Sequence, residues 1–565
     1  MNFDDLKNII RGDVEMSDEA LEKYSRDASI FVVRPKVIVF PKDSTDVCLL
    51  VKWVNEHKKE DPTLSITPRC AGTCMSGGSI NESIILDMSR YMNGIGKITK
   101  TDEMSYGHKV TGYATVLPGT FYRDFEKVTL AENLILPSYT ASKELCAVGG
   151  MVGNNSGGEK SIKFGKTEDW IRELKVVFRD GYEYTVKRMT KKELYQKVAE
   201  VSVEAELYKE LLQLINDNDM LITSAKPQVS KNSAGYYLWN IYDKETESFD
   251  LCRLIVGSQG TLGIVTEITF NLTDVTKESR LLVVFMNDLS RLGHLVDTIL
   301  PLGPESIESY DDYSLKLAVK FMPDFLKRMS LWQFIKMGIS FIPEVFMMAT
   351  GGVPKLVMIA EFTGNNLDEV ERATRNAQKQ IASFGFKTRV TKSKADGEKY
   401  WRMRRESFNM LRKHVKGKHT APFIDDVCIK PEFLPVFLPR LNALLAEYKL
   451  VYTIAGHAGN GNFHIIPLMD FTDTHTKEVI MELSEKVYDL VREFNGTITA
   501  EHNDGLVRTP YLGKIFSPEI LNLFKQTKEL FDPENIFNPN KKVGTTKEYM
   551  SSHIVLEKHD MVHGS

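Results

Sequence analysis

Three glycine-rich segments in the first half of this chain constrain its fold more than any other feature. They are Arg69-Cys-Ala-Gly-Thr-Cys-Met-Ser-Gly-Gly78, Gly149-Gly-Met-Val-Gly-Asn-Asn-Ser-Gly-Gly158 and Gly257-Ser-Gln-Gly-Thr-Leu-Gly263. Successive glycines let backbone N–H groups converge into a nest for anionic oxygens, typically those of a pyrophosphate. None of the three has the G-x-G-x-x-G spacing of a dinucleotide fold. Gly165-Lys-Thr167 fails as a triphosphate loop, because Lys160 stands where its first glycine is required. Short β-branched runs recur between the glycine loops: Val37-Ile-Val-Phe40, Ile84-Ile-Leu86, Leu174-Lys-Val-Val-Phe178 and Leu254-Ile-Val256. With amphipathic helices expected at 45–56 and 191–216, this pattern predicts an α+β fold around a mixed sheet.

A second unit begins near Arg280. It carries strand patterns at 281–285, 356–362 and 452–455, and helical patterns at 367–384, 398–416 and 476–494. A chain of 565 residues is too long for one core. A net charge of −4, with no basic stripe, excludes nucleic acid as a partner. The six cysteines form no Cys-x-x-Cys pair, so neither a zinc ribbon nor an iron–sulfur cluster is encoded. The charged start, Met1-Asn-Phe-Asp-Asp-Leu-Lys, lacks the apolar core of a signal peptide, and no apolar run is long enough to span a bilayer. The expected location is cytoplasmic. The stretch 321–353, rich in Met and aromatics with a few basic residues, is read either as an insertion packed on the second unit or partner surface, or as a peripheral contact with the inner membrane face.

Chemistry concentrates in His457-Ala-Gly-Asn-Gly-Asn-Phe-His464 and in Glu501-His502. Only 12 histidines occur in the chain, and three lie in these two segments. Asn460-Gly461 tolerates two positive φ angles and is expected to close a tight hairpin. Such a hairpin sets His457 and His464 on neighbouring strands. Two imidazoles with the carboxylate of Glu501 form a three-ligand metal set that leaves a position open. Read without the glycine loops, the same residues would suit a metal hydrolase.

The three glycine segments, in their order, resemble the FAD-binding (PCMH-type) half of the vanillyl-alcohol-oxidase-type flavoproteins. The His457–His464 segment, Glu501-His502 and Phe537-Asn-Pro539 are similar, more narrowly, to the FAD-linked D-2-hydroxyacid dehydrogenases, which include D-lactate, D-2-hydroxyglutarate and glycolate dehydrogenases. The resemblance implies a helical lead-in at 1–31, a two-subdomain FAD-binding domain at 32–275 and an α+β cap at 276–498. A segment at 499–545 returns to the FAD domain, and a tail follows at 546–565. It places the pyrophosphate on Ala71, Gly72, Thr73, Ser76, Gly77 and Gly78, and counts Arg69 among the cofactor-binding residues. It places the flavin and its ribityl chain against Pro137, Ser142, Gly149, Gly150, Gly153, Asn154, Ser156 and Gly157. Gly260 and Gly263 are also cofactor-binding, Val265 faces the adenine side, and Asn538 approaches the ring. Covalent relatives carry a histidine in the first loop; none stands here, so FAD is expected to be non-covalent.

The resemblance implies oxidation of a D-2-hydroxy acid to its 2-oxo acid. Arg404, within Trp401-Arg-Met-Arg-Arg405, binds the substrate carboxylate. A divalent metal, zinc or manganese, held by His457, His464 and Glu501, polarises the hydroxyl. His502 takes its proton, and hydride passes to flavin N5. Electrons then go to a quinone, an electron-transfer flavoprotein or an iron–sulfur protein. Rival readings are a non-catalytic flavin subunit of a larger complex and an ether-lipid synthase-like flavoenzyme. The chain departs from the family pattern in four places: Gln259 for glutamate, Asn460 for aspartate, Ile466 for a polar substrate contact, and Asn503-Asp504-Gly505 after the Glu-His pair. Some longer relatives carry an iron–sulfur domain; none is expected within these 565 residues.

Overall fold

The computed structural model describes residues 2–312, 352–414 and 417–556. The hydrophobic stretch 321–353 lies outside them except for its last two residues. Three sheets organise the described chain. The first has the order Asp13–Glu15, Val37–Phe40, Ile84–Asp87, Ile66–Arg69; its last three strands are parallel and its first antiparallel. Val37–Phe40 and Ile84–Asp87 are wholly buried, as continuous apolar strands in a covered parallel sheet must be. The helix Ser44–His57 covers this sheet, its N-terminus capped by the Asp43 carboxylate on Thr45 N–H. The lead-in is not helical throughout, because Asp13–Glu15 pairs with Val37–Phe40 as an edge strand.

The second sheet is antiparallel. Its order is Tyr242–Asp243, Ser248–Asp250, Glu183–Thr190, Ile171–Val177, Ile264–Asp274, His108–Val116, Ile95–Ser105. Two sequence expectations change here. Leu254-Ile-Val256 is not a strand; Cys252–Ile255 is one helical turn, started by the Asp250 carboxylate accepting the Cys252 N–H at 2.9 Å. Three apolar residues alone cannot distinguish a buried strand from a buried turn. The helix expected over 191–216 is two helices, Lys191–Lys197 and Val203–Asp217, each started by its own cap at Thr190 and Ser202.

The third sheet is the cap, in the order Lys387–Val390, Glu278–Met286, Leu356–Gly364, Ser306–Asp311, Val451–His457, Asn462–Met469, His419–Thr420. The helix Lys394–His414 packs on one face through Tyr400 and Trp401, which meet Leu281, Val283, Tyr310, Val357 and Ile359. The C-terminal segment returns to the first sheet, where Asn538 N–H donates to Ile66 O at 2.9 Å. No helix among the described residues is long and apolar enough to cross a membrane.

Candidate active site

The hairpin that carries the two histidines has a different turn from the one its sequence suggests. Ala458–Asn460 form a single 3-10 turn, and only Gly461 takes a positive φ, at 68°. A Cβ at Gly461 would lie 1.8 Å from Ile429 O, so the turn requires glycine for close approach as well as for conformation. In the resulting register His457 faces Asn462 and Ala455 faces His464. The two histidines are therefore diagonal neighbours on one face of the pair, with ring centroids 5.2 Å apart and perpendicular planes.

Glu501 joins them. Its Oε1 lies 3.0 Å from His457 Nε2 and 3.3 Å from His464 Nε2. Its Oε2 accepts from Lys231 Nζ at 2.7 Å. Burial opposes ionisation of this carboxyl, but Lys231 and His457 outweigh it and hold the pKa well below the ordinary value. The predicted ligand trio thus converges on one carboxylate oxygen. Ligands bound at about 2.1 Å around a tetrahedral ion stand roughly 3.4 Å apart; the two histidine–Glu501 separations are close to that, and imidazole with carboxylate is a donor chemistry that suits a divalent cation. A second grouping overlaps it: one ligand atom each from Asp426, His464, Glu501 and His502 lie within 4.8 Å of one another.

The sequence reading missed the groups that fasten this cluster. Asp426 Oδ2 accepts the backbone N–H of Ala500 at 2.8 Å, Glu501 at 2.9 Å and His502 at 2.7 Å, and its Oδ1 accepts Asn462 Nδ2 at 3.1 Å. It ties the Glu501-His502 backbone to the hairpin. Burial disfavours its charge, yet His502 and Arg508 hold its pKa at about 2. Asp425 Oδ2 accepts His502 Nδ1 at 2.8 Å, Asp425 Oδ1 pairs with buried Arg508, and Asp425 O accepts His464 Nδ1 at 3.0 Å. The one available signal was the pair Asp425-Asp426 inside an otherwise apolar run from Ala421 to Ile429. Lys231, Glu308 and Arg508 left no mark in the sequence.

Histidine charges follow from these partners. Burial lowers the His457 pKa, but Glu308 at 2.6 Å from Nδ1 overrides it and the net shift is upward. Burial dominates at His464, whose pKa falls. His502 rises to about 9, because Asp425 and Asp426 outweigh its burial. Its ring stacks on His464 at 4.9 Å. With Nδ1 committed to Asp425, Nε2 is the nitrogen available to a substrate.

Arg404 lies on Lys394–His414 and donates from Nε to Glu308 Oε2 at 2.8 Å. Arg402 is exposed, and Arg405 pairs with Glu159 at 2.9 Å, linking the cap helix to the residue after the second glycine loop.

The glycine loops reach the same place. A Cβ on Gly157 would sit 3.0 Å from Glu501 Oε2, and Lys231 Nζ donates to Gly158 O at 3.4 Å. Gln259 Nε2 donates to Ser76 Oγ at 3.4 Å and to Asn154 Oδ1 at 3.1 Å, while its Oε1 accepts Gly505 N–H at 2.9 Å. Asn503 Nδ2 donates to Asn154 O and Gly257 O. The departures at Gln259 and Asn503 therefore lash the three loops to the Glu501-His502 segment. The Asn538 side chain is spent on Gly78 O, Gln259 O and Thr67 Oγ1, so it binds the first and third loops together. Along the short helix Val148–Asn154, a Cβ at Gly150 meets nothing within 4 Å, and one at Gly153 meets only Gln259 Cα at 3.9 Å. That open glycine face, beside the part-exposed Ala71, Gly72 and Thr73, fits a flat ring and its diphosphate. Of the remaining residues expected there, Arg69 folds its guanidinium into its own loop against Gly72, Ser142 is exposed, Pro137 and Ser156 are buried, and Val265 is half-buried.

Residues 35–187 match the FAD binding domain family, and residues 275–542 match the family of FAD linked oxidases, C-terminal domain. The chain is 26% identical over 542 residues to D-2-hydroxyglutarate dehydrogenase of Pantoea ananatis, covering 94% of this chain and 50% of that protein. It thus spans about half the length of the first curated relatives it matches. It is 25% identical over 543 residues to D-lactate dehydrogenase of Anaerostipes hadrus, covering 95% of each. Its fold is similar to that of p-cresol methylhydroxylase, with a TM-score of 0.63 at 16% identity over 95% of this chain and 94% of that one. It is also similar to alkyldihydroxyacetonephosphate synthase, with a TM-score of 0.61 at 15% identity over 94% and 82%. These two likenesses show the α+β fold.

Proposed function

Because this chain belongs to the FAD-linked oxidases, we propose that it oxidises a D-2-hydroxy acid with a small apolar side chain, D-lactate-like, to the 2-oxo acid, passing electrons to an acceptor other than NAD. The observation that carries this reading is the position of Glu501: one oxygen faces His457 and His464, and the other lies against the glycine loop at Gly157. A hydroxyl-activating cluster and a flavin-sized opening are thereby neighbours. This reading assigns 32–275 to flavin binding, 276–498 to the cap and 499–545 to the return segment.

The residues divide the work. Ala71, Gly72, Thr73 and Ser76 to Gly78 would hold the diphosphate, and Gly149, Gly150, Gly153, Ser156 and Gly157 would border the ring. Bound FAD supplies the hydride acceptor. His457, His464 and Glu501 would hold a divalent cation, zinc or manganese, whose chemistry is to polarise the substrate hydroxyl and to oppose the positive charge on His502. Arg404, held by Glu308, binds the substrate carboxylate and orients C2. His502 Nε2 receives the hydroxyl proton, with Asp425 fixing its tautomer. Asp425 and Arg508, both fully buried, fasten the half-buried imidazole at Nδ1.

Ile466 lies two residues beyond His464 on the same strand face and is 8% exposed. An apolar group there favours a methyl-sized side chain over a distal carboxylate. Quinone, electron-transfer flavoprotein and iron–sulfur protein remain the acceptor classes, and peripheral membrane contact through 321–353 belongs with the quinone. The test is anaerobic reduction of the flavin-loaded protein by D- and L-2-hydroxy acids, with and without chelator. Bleaching by D-lactate that chelator suppresses supports the reading. A flavin that stays oxidised with every acid refutes it, as an ether-lipid synthase-like enzyme or a non-catalytic subunit would require.

A further inference from the structure

Glu308 lies on Ser306–Asp311, in the middle of the cap sheet, and is fully buried. Its strand neighbours on the same face are Ser306 and Tyr310, and across the ladder it faces Ile359. Tyr310 and Ile359 belong to the apolar cluster completed by Tyr400 and Trp401. A carboxylate there is stable only if it is well paired, because burying an uncompensated charge costs several kcal/mol. Its two oxygens are divided between two partners. Oε1 lies 2.6 Å from His457 Nδ1, and Oε2 accepts from Arg404 Nε at 2.8 Å.

His457 presents its other nitrogen, Nε2, to Glu501 Oε1 at 3.0 Å, and Glu501 Oε2 ends on Lys231 at 2.7 Å. The result is one buried relay: Arg404, Glu308, His457, Glu501, Lys231. A carboxylate on the far nitrogen of a metal-binding imidazole fixes its tautomer and raises its strength as a ligand. The same carboxylate here also bears on the arginine that would take the substrate carboxylate. When an incoming anion draws on the Arg404 charge, Glu308 gives up part of its pairing there and bears more strongly on His457.

Building on the function proposed above, we propose that Glu308 is a positioning residue that couples the two halves of the site: a carboxylate bound at Arg404 tightens the divalent cation at His457, His464 and Glu501. By thermodynamic reciprocity the cation tightens the carboxylate by the same factor. The 2-hydroxy acid then favours a site already holding its cation, and the cation a site already holding the acid.

The test uses the flavin-loaded protein and reads no turnover. Cobalt(II) is titrated and followed by its visible absorption, with and without propionate, which has the carboxylate but no 2-oxygen. In the wild type, propionate should lower the cobalt dissociation constant about 5- to 10-fold. In Glu308→Gln, whose single carbonyl oxygen cannot accept from both partners, the factor should fall to near 1 while the flavin spectrum stays that of the wild type. Glu308→Asp keeps the charge but is too short for both contacts; it should also lose the coupling, and it stands in if the Gln variant fails to load flavin. An unchanged factor in these variants, or no propionate effect in the wild type, overturns the coupling alone. A wild type that binds neither cobalt nor any 2-hydroxy acid overturns the underlying function as well.

Discussion

Lys231 Nζ donates to Glu501 Oε2 at 2.7 Å, and both side chains are almost completely buried, at 1% and 7% exposure. This pair joins the loop around 231, from the FAD-binding unit, to the acid that faces both cap histidines. Removing the lysine leaves the buried carboxylate with only His457 and His464 beside it, which costs up to about 3–5 kcal/mol. Lys231→Met should therefore unfold at markedly lower denaturant. The double variant Lys231→Met with Glu501→Gln should recover most of that loss. Equal stability of the single and double variants would show that the pair is not coupled.

His502 holds its position through Asp425 and presents Nε2 outward. His502→Ala should lower the rate of flavin reduction by about 10²- to 10⁴-fold, the range for loss of a general base. The flavin absorbance per protein should not change, since none of the hydrogen bonds made by its side chain reaches a glycine loop. Stopped-flow absorbance measures both quantities in one experiment.

The position of Ile466 predicts substrate choice. Burying a distal carboxylate against it without a partner costs at least about 2 kcal/mol, so kcat/KM for D-lactate should exceed that for D-2-hydroxyglutarate by about 30-fold or more. Steady-state assays with an artificial electron acceptor give the ratio. A preference for the dicarboxylate would place a cation beside Ile466.

Glu361, beside Glu305 in the cap, gives a pH signature away from the catalytic groups. Burial pushes its pKa up to about 7 from 4.5, against the Ser279 hydroxyl bonded at 2.5 Å. The folded protein then holds this proton more tightly than the unfolded chain between pH 4.5 and 7. Stability contributed by the neutral form is present at low pH and is lost as pH rises through that window. Glu361→Gln should match the wild type near pH 5 and exceed it near pH 8, by on the order of 1 kcal/mol given that the residue is partly accessible. Chemical denaturation at the two pH values decides it.

What could be read from the sequence was local. Val37–Phe40, Ile84–Asp87 and Thr476–Glu493 follow from apolar runs and helical period. His457, His464 and Glu501 stood out because histidine is scarce and glycine frames the hairpin. The turn itself was misjudged: Asn460 lies in a 3-10 turn without a positive φ, and Gly461 is also needed for its close approach to Ile429 O, a contact made by a distant segment. Leu254-Ile-Val256 was misjudged because the Asp250 cap decides its conformation. Lys231, Glu308 and Arg508 were invisible for a related reason. Each is an ordinary charged residue in sequence, and only long-range packing makes it buried and paired. The departures at Gln259 and Asn503 looked like weakened motifs; in the fold their amides bridge the glycine loops.

The central claim is that the histidine–glutamate cluster activates a 2-hydroxy acid directly beside the flavin. Single-turnover anaerobic flavin reduction by D-lactate, compared with D-lactate deuterated at C2 and with L-lactate, tests it most directly. Full bleaching by the D-acid, several-fold slower bleaching by its deuterated form, and no bleaching by the L-acid are expected. A flavin-loaded protein left oxidised by D-lactate and by every other D-2-hydroxy acid would contradict it.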